Sequence, residues 1–571
     1  MPFIIVVFEY PTVMNGRTRT DPTTVLSEDT WRRSEGAATE YTISAATAVA
    51  DAVRSTLGPE GMDKMLITRH GNVLVTNDGA TLLSEMNVTN PVARFVADVA
   101  ATQASEVSDG TTTSVILASE LLGQAQRLLE RGIHPTTIAR GYELATDRAV
   151  DLVDGLCVTL DPEDDDAIAR VGETAMTGKS TEQHAESLLP LVVEAVRAVT
   201  VEADGNRVVD LHSLRVDSSD AGGHPSESEL LEGAVLFEDP AHEAMPTTVE
   251  DAAILLLDCP LELGEPTAEP TVDVGDHDQL QRFLDRDRKR LTGLAESVIE
   301  SGANVVLCGK HVDPTIQERL ADEGILAVRR VPTDDLAFIR EILGGEILTD
   351  IDEVDRETLA DGHVGRDGDG TRFYIEGCGE GTHGATFLLR GSTRHALNEV
   401  ERGVEDAIDV AARAVTTGTV VPGAGAVEVE LAIGVREYAT GVDGREQYAI
   451  EAFADALEVV PRTLAENAGL DPIDALVELR AAHRDGNERV GLNVRTGTVE
   501  DSIDAGVFDL PAVKKQSLTT ASEVAAFVLR IDDIVSVGHP ESDDRVDPDD
   551  REESDGPRGV TGGAVASAAS K

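Results

Sequence analysis

The apolar periodicity of this 571-residue chain changes twice, and that order limits its fold more than any other feature. Ile43, Ala46, Val49, Val53 and Leu57 share one helical face, and Gly58-Pro59 ends that helix. Met65-Leu66-Ile67 and Val73-Leu74-Val75 flank His70-Gly71-Asn72, which predicts a hairpin. Asp78 is placed to cap a short helix through Met86, and Pro91 opens another to about Glu106. Thr111 begins a long helix to about Glu130. From about 235 to 384, Ile254-Leu255-Leu256-Leu257, Val305-Val306-Leu307 and Leu326-Ala327-Val328 alternate with helical stretches such as 279–301, an α/β pattern. Over 395–416 the helical stripe returns through Leu397, Val400, Val404, Ile408, Ala411 and Val415, and helices dominate to 537. The chain is too long for one core. The order helical, α/β, helical predicts a discontinuous outer domain with another domain inserted in it.

Charge then excludes whole classes of function. The chain has 106 acidic against 48 basic residues, a net charge of −58, and only seven Lys. Such a field repels polyanions, so no nucleic-acid or anionic-membrane partner is expected. Acid excess with few lysines and aromatics points to a salt-filled cytoplasm, where counterions screen the self-repulsion. Cys157, Cys259, Cys308 and Cys378 are far apart, with no Cys-x-x-Cys pair, which argues against a disulfide framework or a zinc site. No apolar run reaches the roughly 20 residues of a membrane helix. Phe3–Phe8 is apolar without a preceding basic residue, so it reads as an edge strand or as an extension ahead of a start at Met14, with the second preferred. Residues 15–40 are polar and predict an arm or strand ordered only in part. Beyond Gly538 the stretch Glu541–Asp555 has nine acids and two Arg, followed by a Gly/Ala/Ser tail, and disorder is expected there.

Ser108-Asp109-Gly110-Thr111-Thr112-Thr113 carries the sharpest chemical signal. A Gly at a helix start lets backbone N–H groups face an anion, the helix dipole favours it, and three Thr add hydroxyl donors. An Asp beside phosphates implies an intervening cation, Mg²⁺. An ordinary N-cap followed by helical Thr is the equal alternative. Leu57-Gly58-Pro59-Glu60-Gly61 is either a loop against a nucleotide or a plain helix terminator. Val420-Val421-Pro422-Gly423-Ala424-Gly425-Ala426 either admits a ribose or base or is a turn. No G-x-x-x-x-G-K-[ST] is present, which disfavours an ordinary P-loop NTPase. Asp78 and Asp406 are candidate water-orienting carboxylates. Asp406 lies beside the polar face of its helix, where a solvated charge is the default.

Read together, Arg54-Ser55-Thr56-Leu57-Gly58-Pro59-Glu60-Gly61-Met62-Asp63-Lys64-Met65-Leu66, Val75-Thr76-Asn77-Asp78-Gly79 and Asp109-Gly110-Thr111-Thr112-Thr113, in that order and spacing, resemble the group II chaperonins. The likeness continues through Gly132-Ile133-His134-Pro135, Thr177-Gly178-Lys179, Leu257-Asp258-Cys259-Pro260, Glu399-Val400-Glu401-Arg402, Pro461-Arg462-Thr463-Leu464-Ala465-Glu466-Asn467 and Leu529-Arg530-Ile531-Asp532-Asp533. It covers about residues 30–537.

The resemblance implies a multidomain α and α/β chaperonin fold. A helical equatorial domain would span 23–155 and 417–537, a hinge-like intermediate domain 156–234 and 385–416, and an α/β apical domain 235–384. A built-in lid would occupy about Leu263–Arg290, with residues 1–22 poorly ordered and 538–571 a disordered tail. It implies an ATP-dependent chaperone in the cytoplasm, its subunits, identical or paralogous, stacked in two rings around unfolded client proteins. Gly58 and Pro59 would line ATP. Asp109 would bind Mg²⁺, and Gly110, Thr111, Thr112 and Thr113 would hold phosphates. Asp78 and Asp406 would flank the attacking water, and Lys179 would sense the γ-phosphate. Gly423, Ala424, Gly425, Asn493, Asp509 and Lys514 match positions near ribose and base. The chain departs from the family pattern at Glu60, Ala104, Ser108 and Ala424. Ser108 and Ala424 are expected to fit only where no positive φ is required, and Glu60 is expected to bring a negative charge near the nucleotide. Two readings follow, an active ATP-driven folding machine and a largely structural paralogue with weak ATPase.

Overall fold

The computed structural model describes residues 30–537, apart from 35, 68–72, 87, 89, 204–205, 219–222, 264–276, 367–371, 378–383 and 392. The expected N-terminal extension, Phe3–Phe8, Met14, Cys378 and the acidic tail lie outside the described residues. Two compact units separate at Ala38/Thr39 and Arg530/Ile531. In the smaller, β1 (Thr30–Ser34) pairs antiparallel with β21 (Asp533–Val537), Thr30 opposite Val537. The larger contains three apolar cores.

The first core joins helices from both ends of the sequence. From the N-terminal side come α1 (Gly36–Arg54), α2 (Gly79–Glu85), α3 (Pro91–Val107), α4 (Thr111–Glu130) and α5 (Pro135–Gly155). From the C-terminal side come α12 (Ala426–Ala439), α13 (Glu446–Leu457), α14 (Val459–Asn467), α15 (Pro472–Arg484) and α16 (Pro511–Leu529). The sequence starts several of these helices in one way. Asn90-Pro91 and Asp471-Pro472 each put an acceptor side chain at the N-cap and a residue without an N–H at the next position; Asn90 Oδ1 accepts from Val92 N–H at 2.9 Å and Asp471 Oδ1 from Ile473 N–H at 2.9 Å. Two hairpins lie on this core. β2 (Lys64–Ile67) pairs β3 (Val73–Thr76), and β18 (Val490–Asn493) pairs β19 (Thr498–Asp501). The first has the register expected around residues 70–72, which are themselves not described.

In the second core the sheet runs β12-β11-β10-β14-β15-β9, where β9 is Ala234–Leu236, β10 Val249–Leu257, β11 Val305–Cys308, β12 Leu326–Arg329, β14 Ala360–Arg366 and β15 Phe373–Gly377. A short β13 (Ile347–Leu348) also pairs β10. β10, β11 and β12 are parallel, and the crossovers are α8 (His277–Ser301) and α9 (Pro314–Asp322). Ile254–Leu257 and Val305–Cys308 are wholly buried, as strands covered on both faces require. A further helix, α10 (Thr333–Leu343), packs on the same core. Of the expected lid, 264–276 lies outside the described residues, and 277–290 forms the first turns of α8.

The third core is built on α6 (Asp165–Met176), α7 (Ala185–Ala198) and α11 (Arg394–Thr417), with strands β7 (Leu214–Ser218), β16 (Ala385–Leu389) and β8 (Glu229–Glu232) in the order β7-β16-β8. A hairpin of β5 (Thr200–Ala203) and β6 (Asn206–Val209) adjoins it. β17 (Thr419–Pro422), flanked by β4 (Val158–Thr159) and β20 (Phe508–Asp509), gives Val420 to this core and Val421 to the first. Alternate faces of one strand therefore bind two cores together. Cys157, Cys259 and Cys308 are free thiols. Among the described residues no helix is long and apolar enough to cross a membrane.

Phe453 and Tyr142 meet edge to face at the centre of the first core, ring centroids 5.9 Å apart, and Tyr142 O–H donates to Leu121 O at 2.7 Å. Phe453→Ala should cost about 3–5 kcal/mol of stability, and Tyr142→Phe about 1 kcal/mol. Chemical denaturation at constant salt checks both.

Candidate functional site

The end of α3 and the start of α4 form a tight turn. Ser108 is left-handed (φ 57°, ψ 5°) and so is Gly110 (φ 74°, ψ 15°). The first N–H groups of α4 receive no side-chain cap and face a cavity of about 420 Å³. Gln103, fully buried, donates through Nε2 to Asp109 O at 2.9 Å and Val513 O at 3.2 Å, tying the turn to α16. A Cβ at Gly110 would come within 2.8 Å of Val513, and one at Gly79 within 2.5 Å of Thr112 Oγ1. Both glycines are therefore there for close approach.

The cavity gathers residues from distant parts of the sequence. Gly58, Pro59, Asp78, Asp109, Gly110, Thr111, Thr112, Thr113, Lys179, Asp406, Ala424, Gly425, Asn493, Asp509 and Lys514 all line it. Gly423 does not. It sits behind the wall, with its N–H on Val507 O at 3.0 Å. Sequence reasoning missed Gln103, Glu173, Arg495, Glu500 and Ser517. Gln103 had a signal, since it interrupts the apolar stripe Val92, Val96, Val99, Val107 of its helix.

Carboxylates outnumber cations around this space. Lys179 Nζ pairs with Asp406, and the side chains are about a fifth and a quarter exposed. Burial alone would lower the Lys179 pKa, but Asp406, Asp109 and Asp78 outweigh it and raise it, so the ammonium stays charged. Burial raises the Asp406 carboxyl and Lys179 opposes it. The same burial, aided by Asp509 and Asp406 and opposed by Lys179, pushes Asp109 up to about 6. Lys514 lies 2.7 Å from both Glu428 Oε1 and Asp509 Oδ2, so its charge is already neutralised within the wall. Asp78 Oδ2 accepts from Thr81 N–H at 2.7 Å, capping α2 as expected. Asp406 is not the solvated helix-face charge that periodicity alone suggested. The segment bearing Lys179 folds back against α11 and brings it inside. That segment touches the Gly58 loop directly, since a Cβ at Gly178 would lie 2.3 Å from Gly58 O, and Asn77 donates to Gly178 O.

Three sequence expectations change here. Ser108 and Ala424 both need a positive φ (57° and 55°), contrary to the condition set for tolerating them. A left-handed non-glycine residue costs about 1–2 kcal/mol. At Ser108 a hydrogen bond from Oγ to Asp409 offsets this, because bonds to charged acceptors contribute about 1.5–3 kcal/mol. Ala424 has no such side-chain bond; it is held by Leu492 N–H on its carbonyl at 3.0 Å. Glu60 is exposed and does not line the cavity, so its charge faces solvent. Ala424→Gly should therefore stabilise the protein by about 1 kcal/mol, read as a higher denaturation midpoint.

Comparison with known proteins agrees with this architecture. Residues 49–539 match the model of the TCP-1/cpn60 chaperonin family. The chain is 50% identical over 540 residues to thermosome subunit 2 of Haloferax volcanii, covering 94% of this chain and 96% of that protein. It is 49% identical over 529 residues to thermosome subunit beta of Halobacterium salinarum, covering 92% and 95%. Both relatives come from halophilic archaea. Among solved structures, the open-state monomer of a group II chaperonin from Methanococcoides burtonii superposes with a TM-score of 0.60 at 37% identity, covering 74% of this chain and all of that one. The chain belongs to the TCP-1/cpn60 chaperonin family, with the thermosome subunits.

Proposed function

We propose that this chaperonin subunit binds and hydrolyses Mg²⁺-ATP in the cavity between α3–α4 and α11, and that hydrolysis drives enclosure of unfolded proteins. One observation carries the reading. An uncapped helix start with Gly-lined access for phosphates opens into a space with more carboxylates than cations. Such a site repels a bare polyanion and suits a polyphosphate that arrives with its own cation. Among the described residues no three His, Cys, Asp or Glu side chains converge to hold a metal alone. A single carboxylate, Asp109, with substrate oxygens and water completing the shell is the donor set Mg²⁺ favours. Asp109 would hold the ion there, and the ion would supply positive charge against the charge developing on the phosphoryl group.

The remaining roles belong to the chain's own groups. Thr111–Thr113 offer N–H and hydroxyl donors to the phosphates. Gly58 and Pro59 approach from the opposite wall. Asp406 and Asp78 orient the attacking water, and Lys179, held by Asp406, meets the terminal phosphate. Ala424, Gly425 and Asn493 line the ribose and base end, Gly423 shapes it from behind, and Lys514 anchors Asp509. The first core corresponds to an equatorial domain (23–155, 417–537), the third to an intermediate domain (156–234, 385–416), and the second to an apical domain (235–384) with a lid near Leu263–Arg290. The names of the two thermosome relatives, one numbered 2 and one beta, favour sister subunits, and we place this chain in cytoplasmic stacked rings of paralogous or identical copies.

Asp109→Ala should lose ATP affinity and turnover together. Asp406→Ala should keep affinity and lose turnover by about 10²-fold. Calorimetric binding beside phosphate release at high salt distinguishes them, and unchanged turnover in Asp406→Ala would sink the assigned role. A wild type that binds ATP but releases no phosphate would favour the structural-paralogue reading.

Acid should also weaken binding. With its pKa raised to about 6, Asp109 is protonated below that pH and ionised above it. Mg²⁺-ATP affinity should fall about tenfold per pH unit beneath 6, beyond any fall seen in Asp109→Asn. Parallel profiles for the two proteins would contradict this.

A further inference from the structure

The serine in the phosphate-facing turn has a use that neither a helix cap nor a defect describes. Ser108 is the C-cap of α3, and Gly110, which has no side chain to offer, is the N-cap of α4. The Ser108 hydroxyl donates to Asp409 Oδ2 on α11, three residues beyond Asp406. Four residues further, the Arg413 guanidinium donates to Glu106 O at 2.7 Å. Asp406, Asp409 and Arg413 fall on one stripe of α11. The first meets Lys179, and the other two hold the last turn of α3, immediately before Asp109.

We propose that Ser108 and Asp409 form a latch that sets the distance between the helix bearing Asp406 and the turn bearing Asp109, which makes both of them positioning residues for hydrolysis. The two carboxylates with separate jobs sit on different elements, α11 and the α3–α4 turn, so catalysis needs those elements in fixed register. The hydroxyl anchors Asp409 through a single hydrogen bond, which any acceptor oxygen at that position can receive. Glycine at 108 would relax the backbone but would carry no donor. The left-handed serine is a strained residue kept with a side chain that reaches across to α11. This inference rests on the hydrolytic reading above.

The experiment uses the full-length, assembled protein. Ser108→Gly, Asp409→Ala and the double variant are compared for Mg²⁺-ATP affinity, turnover and amide hydrogen exchange at 104–113 and 405–413 without nucleotide. The expected result is turnover lowered about 10- to 100-fold in each single variant, affinity within about twofold of wild type, and a double variant no worse than the weaker single. Exchange in both segments should quicken, and Asp409→Asn, which keeps an acceptor oxygen, should recover most of the turnover. A helix-cap role predicts the reverse for Ser108→Gly, because glycine eases the left-handed turn. Wild-type turnover in that variant, or losses that multiply in the double variant, overturns the latch. Should the wild type bind ATP yet release no phosphate, the hydrolytic reading fails by itself. Unchanged exchange in Ser108→Gly overturns the latch in that case too.

Discussion

A single ammonium, that of Lys179, lies within reach of three carboxylates, Asp406, Asp109 and Asp78, and the rest of the site is arranged around that imbalance. In a partly buried space one cation cannot neutralise three acids. Burial raises the carboxyls of Asp109 and Asp406, neighbouring carboxylates add to it, and Lys179 only partly opposes it. The other lysine in the wall cannot help, since Glu428 and Asp509 already flank it. On the proposed reading, a cation arriving with the nucleotide would supply positive charge that this wall lacks.

Much of the fold was legible because local signals and tertiary demands agree. α4 begins and ends where Asp109-Gly110 and the apolar stripe predicted, at Thr111 and Glu130. The Asp78 cap, the hairpin around 70–72 and the buried stripe of α11 followed equally from spacing. Each depends on neighbours within a few turns. Gathering the site was beyond periodicity, since Asp406, Lys179 and Asp109 come from three separate segments, and only the family likeness joined them. Backbone strain was also illegible. Ser108 and Ala424 are left-handed because tight turns with fixed partners on both sides impose it, and propensity alone would have put glycine there. Gln103 could have been found, because a lone amide on an apolar stripe must be satisfied by something outside its own helix.

The acid excess belongs to the surface, not to the framework. The buried positions of the second core are apolar, and the first core is filled by Val, Leu, Ile, Ala and two aromatic rings, as in any compact protein. Adapting such a chain to salt therefore needs no new packing. With few lysines, the surface presents short carboxylates whose mutual repulsion counterions screen. Two relatives from halophilic archaea are each about half identical over nearly the whole chain.

The cavity wall is shared. Gly58, Asp78 and Ala424 extend from the first core, while Glu173, Lys179 and Asp406 extend from the third, and the Gly58 and Gly178 backbones touch. A ligand that touches both walls therefore also bears on how the two cores are held together. Any free energy a ligand gains from touching both walls adds directly to the docked arrangement, and separating the cores must return that amount. The affinity of the site for each chemical state of its ligand is then also a measure of joint stiffness. On the proposed hydrolytic reading, a reaction that changes the ligand would change how firmly two parts of the molecule are clasped, beside the β17 strand that already ties them.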